Sequence, residues 1–310
     1  MATTFTPITG LIAAPFTPMD QNGELNLSHI PAYAAFLRNK GVSGVFVAGT
    51  TGEGLSLTLE ERMALAEAWV PFQAADFQIL VHVGANALGH AQQLARHAGS
   101  LPIAGMAQML PGFFAPASPE DLLVSCQQVA KEAPQLPFFY YHLPGMTRLK
   151  VSIPDFVALA LERIPNFAGL KFTEENLVDV IRIMELLSPQ HSFLFGVDEI
   201  HLAALGLGIK GAVGSTYNYL GPGFVQLRKA WERGDHAEAK AWQVRLNRII
   251  LHLIAAGGGV KAGKYLMELA SGLEMGPCRL PLGNLTEEEK GQLAQALSGE
   301  AWEVCTGGGG

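Results

Sequence analysis

Short apolar runs alternate with longer amphipathic segments along most of this chain of 310 residues. In the longer segments apolar residues recur every three or four positions, which predicts helices with one buried face. Several of the short runs are apolar throughout, which is typical of parallel strands buried on both faces. We predict strands at residues 11–14, 44–48, 79–83, 103–108, 137–141, 167–171, 192–196 and 211–214. We predict helices between them at residues 26–38, 58–70, 88–97, 118–133, 154–162, 175–187 and 199–207.

The order of these elements predicts the fold. Strand and helix alternate eight times with a spacing near 30 residues, which predicts an α/β fold of the (β/α)8 TIM barrel type over residues 1–222. Residues 223–298 have a helical pattern that Gly257-Gly258-Gly259 interrupts, so we predict a C-terminal helical extension packed on the barrel. Residues 299–310 end in four glycines, and we predict that this tail is disordered.

The composition narrows the classes of function. Hydrophobic residues make up 49% of the chain and charged residues 16%, which suits a large core and some surface buried between subunits. A formal net charge of −7 argues against nucleic acid as a partner, because the chain has no basic stripe to bind phosphates. We expect no membrane span, since no apolar stretch reaches about 18 residues, and no signal peptide, since residues 1–7 lack its basic and apolar regions. Three scattered cysteines without a Cys-x-x-Cys pair predict a reduced, cytoplasmic protein.

One lysine stands out as a candidate nucleophile. Lys171 closes an apolar run in the segment Gly169-Leu170-Lys171-Phe172-Thr173. Burial of a lysine disfavours its ammonium form, and a neutral amine can attack a ketone to form a Schiff base. The alternative is a lysine at the end of a strand that points into water.

Polar residues also follow four other predicted strands, and the carboxyl ends of barrel strands meet at one mouth where active sites lie. These residues are Thr50, Thr51, Tyr141, Gly196, Asp198, Glu199, Ser215 and Thr216. Chance could place any one of these residues at a strand end, but it is a poor explanation for the whole set.

Each of these residues has a structural alternative to its chemical role. The hydroxyls of Thr50 and Thr51, beside two glycines, suit a carboxylate, but the segment could be a plain turn between strand and helix. Tyr141 could relay a proton near an imine, or it could be a core aromatic residue. Asp198 and Glu199 could bind substrate or only favour a helix N-terminus. No residues have the spacing of a metal site, so we expect no metal and no cofactor, and an imine would act as the electron sink.

With these residues, the chain resembles the pyruvate-dependent class I lyases typified by N-acetylneuraminate lyase and dihydrodipicolinate synthase, over about residues 8–298. The segment Gly49-Thr50-Thr51-Gly52-Glu53 is typical of the whole family. Other segments look more like the N-acetylneuraminate lyase branch; they lie at residues 140–147, 196–199, 211–221 and 275–282.

The resemblance implies roles for the candidate residues. It implies that Lys171 forms the Schiff base and that Tyr141 is the catalytic tyrosine. It implies that Thr50 and Thr51 hold the substrate carboxylate. The residues that would bind the sugar chain are Thr173, Gly196, Asp198, Glu199 and Ser215. Three other lysines are rivals for the nucleophile, although none closes a strand in the matching motif: Lys210, Lys261 and Lys264.

The activity implied is the reversible cleavage of N-acetylneuraminate to N-acetylmannosamine and pyruvate, in a homotetramer whose partners are small molecules. The alternatives are a lyase or dehydratase for 2-keto-3-deoxy sugar acids, a dihydrodipicolinate synthase, and a catalytically silent sensor. Met146 argues against the synthase, in which an arginine commonly occupies that position. Phe113 and Phe114 lie in a loop where many relatives have a tyrosine that reaches a neighbouring subunit, and neither can supply a hydroxyl.

Overall fold

The computed structural model describes residues 5–110 and 112–307. In this part of the chain eight parallel strands close into a barrel in sequence order, and the eighth strand pairs with the first. The strands are β1 (Gly10–Ala13), β2 (Gly44–Val47), β3 (Gln78–His82), β4 (Gly105–Gln108), β5 (Phe138–His142), β6 (Phe167–Phe172), β7 (Ser192–Phe195) and β8 (Gly211–Gly214). Each strand lies within two residues of its predicted bounds, so the predicted (β/α)8 TIM barrel is confirmed.

Helices cover the outside of the barrel and continue beyond it. They are α1 (Ile30–Asn39), α2 (Leu59–Trp69), α3 (Leu88–Gly99), α4 (Pro119–Ala130), α5 (Pro144–Thr147), α6 (Ile153–Arg163), α7 (Leu177–Leu186), α8 (His201–Gly206), α9 (Tyr217–Glu232), α10 (His236–Ala255), α11 (Lys261–Ser271), α12 (Glu287–Leu297) and α13 (Glu300–Thr306). Thr58 and Glu61 form a capping box at the start of α2, because each side chain binds the other residue's backbone N–H.

The strands are buried on both faces, which explains their continuous apolar runs. All four residues of β2 are buried, and so are all six of β6. Alternate side chains enter the barrel interior, where Phe46, Leu80 and Phe139 are among the packed residues. The other side chains of each strand pack against the helices in a second, larger core.

The helix that follows β8, α9, packs against β1 and β8 and completes the eighth strand–helix unit of the barrel. Helix α9 starts at Tyr217, so the boundary predicted at residue 222 falls inside it. Gly221, Pro222 and Gly223 all lie within this helix. A Cβ on Gly223 would lie 2.8 Å from a methyl group of Leu246 in α10, so glycine lets the two helices approach closely.

The prediction of a disordered tail was wrong for residues 300–306, which form α13. Cys305 and Thr306 are buried, because α13 packs against α9. The Trp302 ring lies 6.2 Å from the ring of Tyr219, centroid to centroid. These contacts supply the burial that the glycine-rich sequence seemed to lack, and residues 308–310 lie outside the described residues.

Within residues 5–110 and 112–307, no helix combines the length and the hydropathy that crossing a membrane requires.

A buried histidine gives a prediction for stability against pH. Burial and the charge of Arg228 lower the pKa of His201 to about 3, from 6.5. Below pH 6.5 His201 binds a proton in the unfolded chain but not in the folded protein. The free energy of unfolding therefore falls as the pH is lowered from 6.5 toward 3. Between about pH 7.5 and about pH 5 this loss amounts to about 2 kcal/mol.

His201→Phe is expected to remove that share of the pH dependence. Urea unfolding at the two pH values should show that the free energy of unfolding falls less steeply in the variant than in the parent. Equal slopes in the two proteins would contradict a buried, neutral His201.

Candidate active site

The structure brings all nine predicted site residues to one cavity of about 400 Å³ at the carboxyl ends of the strands. They are Thr50, Thr51, Tyr141, Lys171, Thr173, Gly196, Asp198, Glu199 and Ser215. They come from β2, β5, β6, β7 and β8 or from the loops that follow those strands. The geometric expectation that these residues converge is therefore met.

Lys171 points into the barrel from β6, between side chains that face the outer core. Only 4% of the residue is exposed. Its Nζ lies 4.2 Å from the centroid of the Tyr141 ring and 4.7 Å from that of Phe46. Tyr141 and Lys171 are paired positions of β5 and β6, so the sheet fixes their proximity. The alternative of a lysine pointing into water does not apply.

The three rival lysines lie away from this cavity. Lys210 precedes β8 at the opposite end of the barrel, where its carbonyl accepts the N–H of Gly10. Lys261 lies 4.0 Å from Glu289, and Lys264 forms an ion pair of 2.8 Å with Glu53. Lys171 is therefore the only lysine that lines the cavity within the described part of the chain.

Residues 49–54, here called the threonine turn, fold tightly after β2. Ala48, just before the turn, and Glu53, near its end, both have a left-handed backbone conformation with φ of 55°. Gly54 donates to the carbonyl of Gly49 at 3.0 Å, and a Cβ on Gly54 would lie only 1.8 Å from the carbonyl oxygen of Ala48. Thr50 Oγ1 lies 3.2 Å from the hydroxyl of Tyr141, so the turn and the tyrosine share one hydrogen bond.

His82 holds the base of this turn, a contact that sequence reasoning could not assign. Its Nε2 accepts the N–H of Met109 at 3.3 Å, so in the neutral ring Nδ1 carries the proton and donates it to the carbonyl of Ala48 at 3.0 Å. Burial and the charge of Arg62 keep the pKa of His82 well below its usual range, which keeps the ring neutral. These contacts give His82 a structural role beside the turn.

Asp198 lines the cavity, and its two carboxylate oxygens have different surroundings. Its Oδ2 accepts from the N–H of Thr216 at 3.1 Å and from the Thr216 hydroxyl at 2.5 Å. Its Oδ1 is buried and has no hydrogen-bond partner among the described residues. Gly214 makes room for it, since a Cβ there would lie 1.9 Å from Oδ1. An unpaired buried oxygen is costly unless a ligand donates to it, so Asp198 is suited to a substrate hydroxyl.

Burial raises the pKa of Asp198, and burial together with the charge of Asp198 raises that of Glu199. The two carboxyl groups therefore hold protons more readily than exposed ones, which lets each act as a donor or as an acceptor. Both residues belong to a short 3-10 helix, Asp198–Ile200, as the helix-start interpretation also required.

The C-terminal extension forms one wall of the cavity, which the sequence did not reveal. Its apolar side chains there are Ile250, Leu253, Ile254 and Val260. Two amides of α10 hold the opposite loop by its backbone. Gln243 donates to the carbonyl of Asp198 at 3.1 Å, and Asn247 donates to that of Glu199 at 2.8 Å. A helical apolar pattern looks the same whether it packs a core or lines a site, so no sequence signal was available.

Met146, Phe113 and Phe114 are strongly exposed apolar residues, and of the three only Met146 is among the residues that line the cavity. Met146 is 63% exposed. Phe113 and Phe114 are 86% and 83% exposed, and their rings contact each other edge to face. Over residues 5–110 and 112–307, no group of three or more His, Cys, Asp or Glu side chains is arranged to hold a metal ion.

Comparison with known proteins identifies the family. The profile of the dihydrodipicolinate synthetase family matches residues 7–300. N-acetylneuraminate lyase from Rattus norvegicus is 44% identical over 282 residues, which cover 90% of this chain and 88% of the rat protein. The structure of N-acetylneuraminate lyase from Aliivibrio salmonicida superposes with a TM-score of 0.90 at 39% identity, over 94% of this chain and 97% of that one. The Proteus mirabilis N-acetylneuraminate lyase also reaches a TM-score of 0.90, at 36% identity over 94% and 98% of the two chains. This chain belongs to the dihydrodipicolinate synthetase family.

Proposed function

We propose that this protein is an N-acetylneuraminate lyase, which cleaves N-acetylneuraminate reversibly to N-acetylmannosamine and pyruvate. The observation that carries the proposal is the buried amine of Lys171, facing Tyr141 in a cavity that the threonine turn closes on one side. The similarity to lyases of that name, at up to 44% identity over most of the chain, supports the choice of substrate.

Imine formation requires that the ketone carbon of the substrate lie beside Lys171 and that its carboxylate be bound away from the amine. The hydroxyls and backbone N–H groups of Thr50 and Thr51 would bind the substrate carboxylate, because short donors around a tight turn suit an anion. The amine of Lys171 then attacks the C2 ketone, and loss of water leaves an imine. The protonated imine draws electrons from the C3–C4 bond, so neither metal nor cofactor enters these steps.

Cleavage then requires a base for the C4 hydroxyl. The Tyr141 hydroxyl is already hydrogen-bonded to Thr50 and lies beside the amine, so we assign this proton transfer to Tyr141, directly or through the substrate carboxylate. As the C3–C4 bond breaks, its electron pair passes to the imine and leaves an enamine. Protonation at C3 and attack by water release pyruvate and restore Lys171.

The polyol and N-acetyl end would occupy the opposite side of the cavity. Asp198 and Glu199 are acceptors and potential donors for sugar hydroxyls, and Thr173, Gly196 and Ser215 complete this polar surface. Buried polar partners of this kind discriminate strongly, because a ligand without the matching hydroxyl leaves them unpaired. This surface is our basis for preferring a long sugar acid to a three-carbon ligand.

The proposal is tested by pyruvate release from N-acetylneuraminate and from 2-keto-3-deoxygluconate, measured under the same conditions. We expect the higher kcat/KM with N-acetylneuraminate. Preference for the shorter acid would favour a lyase or dehydratase for 2-keto-3-deoxy sugar acids, and no turnover of either would favour a sensor. Met146 lines the cavity where a dihydrodipicolinate synthase commonly has an arginine, and its uncharged thioether cannot bind a second carboxylate.

Ser215→Ala is expected to lower kcat/KM for N-acetylneuraminate severalfold. Losing one hydrogen bond to a substrate hydroxyl costs about 0.5–1.5 kcal/mol, or about 2- to 12-fold. Trapping of pyruvate on Lys171 should stay unchanged, because pyruvate does not reach the sugar side of the cavity. Ser100→Ala, on the surface after α3, is the matched control. A Ser215→Ala variant with parental kcat/KM would remove Ser215 from the sugar-binding set.

We also propose that the protein is a cytoplasmic homotetramer. The resemblance to its family implies the tetramer, and three scattered cysteines without a Cys-x-x-Cys pair support a reducing compartment. The low share of charged residues supports subunit contacts, because it leaves apolar surface to be covered. Light scattering coupled to gel filtration measures the assembly directly, and a monomeric mass would contradict it.

A further inference from the structure

A buried ion pair joins the threonine turn to the C-terminal extension. Lys264 Nζ of α11 lies 2.8 Å from Glu53 Oε1, and the two side chains are 4% and 0% exposed. The other oxygen of Glu53 accepts the backbone N–H of Arg279 at 2.7 Å, and Lys264 also donates to the carbonyl of Pro277 at 2.8 Å. Neither Glu53 nor Lys264 lines the active-site cavity, so neither touches substrate there.

The backbone of the turn needs such support from outside. Ala48 and Glu53 both have a φ of 55°, which is unfavourable for residues with a Cβ. Strained backbone of this kind persists only where the surroundings fix it, and it is concentrated at functional sites. The hydroxyl of Thr17 donates to the carbonyl of Gly52 at 2.6 Å, and His82 donates to that of Ala48. The side chain of Glu53 connects the end of the turn to the C-terminal extension.

The energetics of buried pairs argue for a positioning role. Withdrawing two charges from water is so unfavourable that replacing a buried pair by apolar side chains often leaves a protein equally stable. A pair that contributes little net stability can still select one arrangement of the chain around it. Here that arrangement includes Thr50 and Thr51, which precede Glu53 in the same turn, and both line the cavity.

We propose that Glu53 and Lys264 are positioning residues, through which the C-terminal extension fixes the threonine turn for binding the substrate carboxylate. This inference rests on the proposed function, since it takes the turn as the carboxylate site. It assigns α11 and the segment after it a part in substrate binding, although neither Glu53 nor Lys264 contacts the cavity.

The experiment compares a ligand that has the carboxylate with one that lacks its charge. Borohydride trapping on Lys171 is measured against the concentration of pyruvate and of methyl pyruvate, its neutral ester. The variants are Glu53→Gln and Lys264→Met, each checked for folding by circular dichroism. The double variant Glu53→Gln/Lys264→Met leaves no unpaired buried charge, so it provides a folded test if a single variant does not fold. Lys261→Met is the matched control, because Lys261 lies in the same helix but pairs only distantly with Glu289.

In every folded variant of the pair we expect the pyruvate concentration for half-maximal trapping to rise at least about tenfold. Misplacing a binding group by about 1 Å can reduce activity by about 100-fold. The methyl pyruvate concentration for half-maximal trapping should change less than about twofold, because the ester carries no charge for the turn to bind. Lys261→Met should match the parent with both ligands.

Two results would overturn the inference. One is a folded variant of the pair that needs no more pyruvate than the parent, and the other is an equal rise for pyruvate and its ester, which a purely structural role predicts. Cleavage of N-acetylneuraminate by the parent is measured separately. If the parent traps pyruvate but does not cleave that sugar acid, the proposed substrate is wrong while the test of the ion pair still stands.

Discussion

Lys171→Ala is expected to abolish lyase activity, with a loss of at least about 10⁴-fold in kcat. No other lysine lines the cavity within residues 5–110 and 112–307, so no second amine is placed to form the imine. Removal of a covalent nucleophile typically has effects of this size, because the remaining groups cannot open another route. The measurement is pyruvate release from N-acetylneuraminate with a coupled assay.

The fold should survive this substitution. Lys171 has no ion pair with a described residue, and its Nζ contacts two aromatic rings. Circular dichroism and the urea midpoint therefore serve as controls for folding, and Lys210→Ala at the other end of the barrel is the matched control for activity. Residual turnover above about 1% of the parent in a folded Lys171→Ala protein would contradict the assignment.

Tyr141→Phe is expected to lower kcat by about 10²- to 10⁴-fold, the usual range for loss of a general acid or base. This corresponds to about 3–5 kcal/mol of transition-state stabilisation. The Tyr141 ring packs edge-on against Phe46 at 5.3 Å between centroids, so phenylalanine should keep the packing and remove only the hydroxyl.

The same variant should still form the pyruvate imine. Trapping by borohydride requires the amine of Lys171 and the threonine turn, and neither depends on breaking a carbon–carbon bond. Thr50 would lose its hydrogen bond to Tyr141, so we expect a small rise in the pyruvate concentration for half-maximal trapping. Turnover equal to the parent's would mean that the substrate carboxylate or a water moves the proton alone.

The barrel and its mouth were predictable from the sequence for definite reasons. Strands such as β2 and β6 are buried on both faces, and their continuous apolar runs therefore stand out from the amphipathic helices. Once the strands were placed, topology alone brought Lys171, Tyr141 and Asp198 to one end, because parallel strands share the same polarity.

The contribution of the extension was not predictable in the same way. Ile250 and Ile254 line the cavity, yet their helical spacing indicates only a helix with an apolar face. The pairing of Glu53 with Lys264 joins positions more than two hundred residues apart, and no local pattern reports such a contact. The tail helix α13 was missed because its burial comes from α9, not from its own sequence.

Mapping the imine is the most direct test of the central claim. The protein is incubated with pyruvate and borohydride, digested, and analysed by peptide mass spectrometry. We predict one reduced pyruvate adduct, on the peptide that contains Lys171. An adduct mainly on Lys261 or Lys264, or none at saturating pyruvate, would contradict the account of this cavity as a Schiff-base active site.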